Sequence, residues 1–373
     1  MKTITNKQLC RMICISVIAL KFLYFPAVVS SYAKNDAYIS VLLGLIFDFI
    51  FTAIIVCACS FFPGKSFKDI LLKYFGKITF YAIYGIIFVY FMLKTLLAVK
   101  EVHHYFLEFL FENFTWIWFA IPIVLLVAYV GVKGLRSVAR TTEILFMLIA
   151  IGVVVTVIIP MKNINLEYLL PFMSHPKGVI EGIFRTTFVY GDWMILLMCM
   201  GDIKEDKSSH KKLLIIVAAT YVFVVFFMIV YVGLFKNIGI YKPYAFSDMP
   251  LYTDLPNNSA RIDWFSSIIW TFALLLQICI TTSISSSILK EMFEGIKPIT
   301  CGGICAVIIL CGMIGFYMNL SKLINVTTSI PFCIAISVLH VLLPTILLVT
   351  MLCEQIKRYR GKLKHDDKAK KVA

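Results

Sequence analysis

Residues 185–201, RTTFVYGDWMILLMCMG, form an apolar run that a bilayer would accept but for Gly191 and Asp192 near its middle. Glycine weakens a helix, and a carboxylate at bilayer depth costs about 2.5–3.5 kcal/mol on insertion scales unless it finds a partner or a cavity. Either the run is no membrane span, or the break in it has a purpose. The rest of the chain decides for the second reading. Of 373 residues 60% are apolar and only 15% charged, with a mean hydropathy of +0.90. One soluble core could not hide that surface, whereas lipid accepts it and requires only that backbone groups pair internally. The sequence therefore predicts an all-α integral membrane protein.

Apolar runs between charged clusters predict about ten spans, near 9–32, 38–62, 78–100, 116–131, 143–160, 179–200, 212–235, 263–289, 300–318 and 328–352. With both termini cytoplasmic, the inner segments carry 24 lysines and arginines and the outer segments seven, the asymmetry that the positive-inside bias requires. The net charge of +14 then reports topology and attraction to anionic membrane lipid. Nucleic acid is not an expected partner, because no basic patch interleaves with base-stacking aromatics. The eleven cysteines fall mostly inside spans, as in CGGIC at 301–305, and read as small packing residues rather than disulfides or metal ligands. EVHHYFLE at 101–108 fits no zinc pattern and reads as a polar cap on the third span. No GxSxG, P-loop or GxGxxG occurs, so neither an enzyme nor a cofactor is expected.

Four basic residues lie within the spans: Lys21, Lys94, Lys100 and Arg185. The last three sit toward predicted outer ends, where long side chains can snorkel to the interface. Lys21, Asp48 and Asp192 have no such escape. Lys21 is near the midpoint of span 1 and Asp192 near the midpoint of span 6, which places both at one depth. Each is flanked by a helix breaker, Pro26 in ALKFLYFP and Gly191 in FVYGDW. Spans 1 and 6 each open a five-span half, residues 1–165 and 166–355, ahead of a basic tail at 356–373. An odd number of spans per half makes the halves run in opposite senses. Interrupted helices at matching places of an inverted repeat point to a midplane binding site. Lys21 and Asp192 are thus expected to meet across a polar cavity, with Asp48 as a further polar partner or a proton carrier. On span 8, ITTSISSSI (280–288) sets Thr281 and Ser285 on one helical stripe and Thr282 and Ser286 on the next, suited to close packing or to coordination. The aromatic, proline-punctuated outer loop 236–262 reads either as a packed lid over the cavity or as a tether between spans.

Several strings carry a resemblance: KGLRSVARTTEIL (133–145), NINLEYLLPF (163–172), FVYGDWMILLMCM (188–200) and ARIDWFSSIIW (260–270). In their order and spacing, along essentially the whole chain, they resemble the B subunit of GerA-type nutrient germinant receptors of endospore-forming bacteria. That group is similar to the amino acid, polyamine and organocation transporters. The resemblance implies a five-plus-five inverted fold with helices 1 and 6 unwound at a small nutrient, commonly an amino acid. It also implies partner A and C subunits, the latter a lipoprotein, in the bacterial cytoplasmic or spore inner membrane. Carried over to this sequence, the pocket comprises Leu20, Lys21, Phe22, Phe25, Pro26, Tyr90, Tyr190, Gly191, Asp192, Thr281, Thr282 and Ser285. Relatives have a glycine-containing segment where this chain has Ala19, Leu20 and Lys21. The lysine stands in for a coupling cation or for the amino group of a ligand, or it marks a change of ligand. A proton-coupled permease using Asp48 or Asp192 is the alternative function.

The orientation can be checked directly. In a cysteine-free background, a cysteine at Lys162 should react with an impermeant thiol reagent in intact cells, and one at Lys211 only after the membrane is opened.

Overall fold

The computed structural model describes residues 4–109, 116–203, 207–251, 262–316 and 320–372, and the regular structure among them is helical. Span 1 starts at Thr5, whose hydroxyl accepts the Gln8 N–H while the Gln8 side chain accepts the Thr5 N–H, a reciprocal cap that fixes the helix start. Helix α1 (Asn6–Ala19) then stops, residues 20–24 turn, and α2 (Phe25–Ala33) resumes with Pro26 in its first turn, where a missing N–H costs nothing. Three continuous helices follow around a short capped surface helix: α3 (Ala37–Phe61), α4 (Phe67–Tyr74), α5 (Gly76–Phe109) and α6 (Trp116–Lys133); α7 (Leu135–Ile158) closes the first half.

The second half repeats the order. A broken span, α8 (Pro176–Arg185) and α9 (Trp193–Met198), precedes α10 (Lys207–Phe235), the short α11 (Ala245–Leu251), α12 (Ile262–Met292), α13 (Pro298–Gly315), α14 (Leu320–Thr327) and α15 (Ile330–Val372). Among the described residues eight stretches are long and apolar enough to cross a bilayer. The broken spans make up the rest of the ten, since none of α1, α2, α8 or α9 can alone cover the ~30 Å of hydrocarbon. One interrupted crossing followed by four continuous ones thus occurs twice.

Burial runs opposite to that of a soluble protein. Ile144, Ile299 and Val222 are 69–77% exposed on the perimeter, whereas Lys21, Lys94 and Asp192 are at most 1% exposed inside. Helix α12 runs through the interior, packed against α1, α5, α6 and α7. Helices α6 and α13 meet backbone to backbone: a Cβ on Gly131 would lie 2.6 Å from Gly302 Cα, and one on Gly302 would lie 2.5 Å from the Ala128 carbonyl oxygen. Ser286 of α12 donates to the Gly131 carbonyl at 2.6 Å and locks this contact to the central helix. CGGIC is indeed packing material, as small residues in membrane helices commonly are.

Two boundaries differ from the sequence reading, for one physical reason. The string 133–145 does not bridge spans 4 and 5 as a loop; helix α7 begins at Leu135, and Glu143 on it accepts Arg11 at 2.6 Å and Gln8 at 2.8 Å from α1. Likewise α5 does not end near residue 100 but continues to Phe109, with Lys100, Glu101 and His103 buried. Charge marks where an apolar window ends, but a helix extends past that window when its polar face is covered by neighbours. Of the outer loop 236–262, residues 252–261 lie outside the described residues; 236–251 form a 3₁₀ turn and α11, which packs on α12 and α7.

The glycine pair at 302 and 303 supplies a contrast. Gly302→Ala should lower stability by roughly 1–3 kcal/mol by overpacking, while Gly303→Ala, which would meet nothing within 4 Å, should be neutral. Apparent melting temperatures of the two purified variants decide it.

Candidate ligand site where two broken helices meet

The chain leaves helical geometry at Tyr190 and Gly191, between the 3₁₀ turn Thr187–Val189 and α9. Gly191 has φ +83°, and a Cβ there would lie 2.5 Å from both His340 Nε2 and the Tyr90 hydroxyl. Only glycine meets both demands. The backbone freed by the break is satisfied from α3, from α5 and from the turn at residues 20–24. The Gly191 N–H donates to both carboxylate oxygens of Asp48, at 3.1 Å each. The Tyr190 carbonyl accepts the Tyr90 hydroxyl and the Lys94 ammonium, each at 2.8 Å, and the Val189 carbonyl accepts Lys21 Nζ at 3.3 Å.

Asp192 lies at the centre. Its Oδ2 pairs with Lys21, and its Oδ1 accepts Lys94 at 3.0 Å and the Ser16 hydroxyl at 3.2 Å. Two lysines and two aspartates, all buried, thus assemble around residues 190–192. Aromatic rings close the cluster: Lys21 Nζ lies 5.7 Å from the Tyr190 ring centroid and Lys94 Nζ 5.4 Å from that of Tyr90. His340 of α15 stands 3.4 Å from the Tyr90 hydroxyl.

The break in span 1 is satisfied from α11. The Ala245 and Phe246 N–H groups at the start of α11 donate to the carbonyls of Leu23 and Phe22, at 3.3 and 3.1 Å. Phe22 itself points into an aromatic stack with Phe227, 3.9 Å between centroids, and Trp270.

Of the residues singled out in the sequence, Lys21, Asp48, Tyr90, Tyr190, Gly191 and Asp192 are joined directly by these bonds. Phe25 touches the Tyr190 ring edge-on at 5.6 Å, and Leu20 and Pro26 are buried at the span 1 break. Thr281 bonds Thr95 of α5 at 2.7 Å, one residue past Lys94, while Ser285 donates to the Thr281 carbonyl. Thr282 is buried with its hydroxyl unpartnered. Two expectations need correction. Lys94 and Lys100 do not snorkel: both are buried, and Lys94 is the second cation on Asp192. The longer α5 explains this, because a helix ending at Phe109 puts Lys94 near its middle. Ser16 and His340 were missed; nothing local distinguishes a serine or a histidine in an apolar run.

With this geometry in view, comparison with known proteins is informative. The family model described as spore germination protein matches residues 3–322, most of the chain. The chain belongs to the spore germination protein family. This membership makes it a permease-like membrane protein with a role connected to germination. Comparison with curated proteins returns no match.

Removing one partner of a buried ion pair leaves the other uncompensated, at about 3–5 kcal/mol. Asp192→Asn and Lys94→Met should each lower the melting temperature, and the double variant should lose less than the sum of the two. Strict additivity would show that the two groups are not coupled.

Proposed function

We propose that this spore germination protein is the nutrient-sensing subunit of a germinant receptor. It binds a small nutrient, an amino acid above all, between its broken spans and signals to partner subunits of the A and lipoprotein C type. The observation that carries this reading is the Asp192 carboxylate held by Lys21 and Lys94 beside unwound backbone. Such a cluster already contains the partners an amino acid zwitterion needs: ammonium groups for its carboxylate and a carboxylate for its ammonium.

Because the cluster is closely packed, a ligand enters by exchange. Its carboxylate takes a lysine from Asp192 while its ammonium takes that lysine's place on Asp192, so no buried charge is left unpaired and the two pairs of the cluster become three. Leu20, Phe22, Phe25, Pro26, Tyr90, Tyr190, Gly191, Thr281, Thr282 and Ser285 are assigned to the surroundings of this exchange, and Asp48 to holding the break through the Gly191 N–H. We further place the two halves at 1–165 and 166–355, with both termini cytoplasmic, in the cytoplasmic or spore inner membrane.

Asp48 supports a second reading, a proton-coupled amino acid permease, because a buried carboxylate bonded to the backbone at the break can carry a proton. Two measurements separate these readings. In spores, Asp192→Asn at wild-type protein level should abolish germination triggered by the nutrient, and unchanged germination would sink the receptor reading. In proteoliposomes, the chain alone should stabilise on adding its amino acid without accumulating it; accumulation driven by a pH gradient and lost in Asp48→Asn would establish the permease.

A further inference from the structure

Outside the Asp192 cluster, the described residues contain a second buried acid that the proposed exchange does not use. Glu101 on α5 is 3% exposed, its Oε2 has no hydrogen-bond partner, and among the described residues no cation is paired with it. Lys100, its neighbour in sequence, points elsewhere, with its ammonium 5.5 Å from the ring centroid of Phe316. Successive helical residues diverge by about 100°, so adjacency does not bring the two charges together.

Glu101 lines a small cavity with Tyr24 and Phe25 at the span 1 break, Arg185 and Val189 on span 6, and Thr327 of α14. The cavity offers about 30 Å³ to the centre of a water-sized sphere, where roughly 10–15 Å³ admits one water. An amino acid does not fit; a bare monovalent cation or an ammonium head does. Arg185 does not neutralise the acid: its guanidinium is bonded to Glu181 at 3.2 Å and to the Thr328 carbonyl at 3.0 Å. An isolated carboxylate in an apolar surround is costly, and a cation of matching size in the adjoining space removes that cost. Val189 borders the cavity, and its carbonyl accepts Lys21. One residue thus separates the cavity from the Asp192 cluster.

We propose that Glu101 and this cavity form a binding site for a compact monocation, an alkali ion or the ammonium head of a small amine, on the approach to the broken helices. The site goes beyond the nutrient reading and does not depend on it.

The test uses the full chain in lipid nanodiscs, in choline chloride without nutrient. Potassium chloride, ammonium chloride and methylammonium chloride replace choline in separate titrations at constant ionic strength. The wild type should gain roughly 2 °C or more in apparent melting temperature with at least one of them. Potassium as the effective salt identifies an alkali ion, and ammonium or methylammonium identifies an amine head. Glu101→Gln should lose the gain, and Thr327→Val should reduce it. If Glu101→Gln does not fold, Thr327→Val decides, and an undiminished gain overturns the site. It is also overturned by no gain in the wild type, or by an equal gain in Glu101→Gln. A protonated-carboxyl infrared band that is absent from Glu101→Gln yet persists in the cation-saturated wild type would overturn it too, since the acid would then be neutral.

Discussion

The interior of this protein is organised by one carboxylate with two cations. Asp192 takes Lys21 from the first broken span and Lys94 from α5, so three elements distant in sequence are fixed around a single group. Hydrophobic burial does not position helices uniquely inside lipid, because the tails around a helix are as apolar as its neighbours. A buried charge that must be paired is far more selective. Each of the three elements has one placement in which its charged side chain reaches the others, and departures leave an ion bare in an apolar medium.

Around that centre, the unwound backbone is treated as a second set of polar groups that must be matched. Asp48 takes the Gly191 N–H, Tyr90 and Lys94 take the Tyr190 carbonyl, and α11 takes the two carbonyls freed in span 1. At the C-terminal end of α2 and the N-terminal approach of α8, Asp36 accepts the Met173 and His175 N–H groups at 3.0 and 2.7 Å and so ties the two broken spans together. Backbone outside helices is tolerated at membrane depth only where it is buried in protein or lines a water-filled cavity.

The sequence made much of this legible because the responsible signals are local. Gly191 beside Asp192, and Lys21 before Pro26, are breakers and charges within a few residues of each other in otherwise apolar text. The order of one broken and four unbroken crossings followed from them and from the spacing of apolar runs. What escaped notice depends on distance in sequence. Lys94 reads as interfacial because the charges beyond it look like a helix end, while tertiary cover lets α5 run on with those charges inside. His340 and Ser16 carry no motif, and only the fold brings them to the break. The donors of α11 were invisible for a stricter reason: they are main-chain amides, whose partners no side-chain pattern encodes.

Those amides alter how α11 is to be regarded. Since Ala245 and Phe246 complete the hydrogen bonding of Leu23 and Phe22, α11 behaves as the missing turn of the first span, supplied from another part of the chain. The segment 245–251 is therefore mechanically continuous with the unwound core. Pulling it away would strip two carbonyls deep in the molecule of their donors, and any rearrangement at the span 1 break would in turn shift α11.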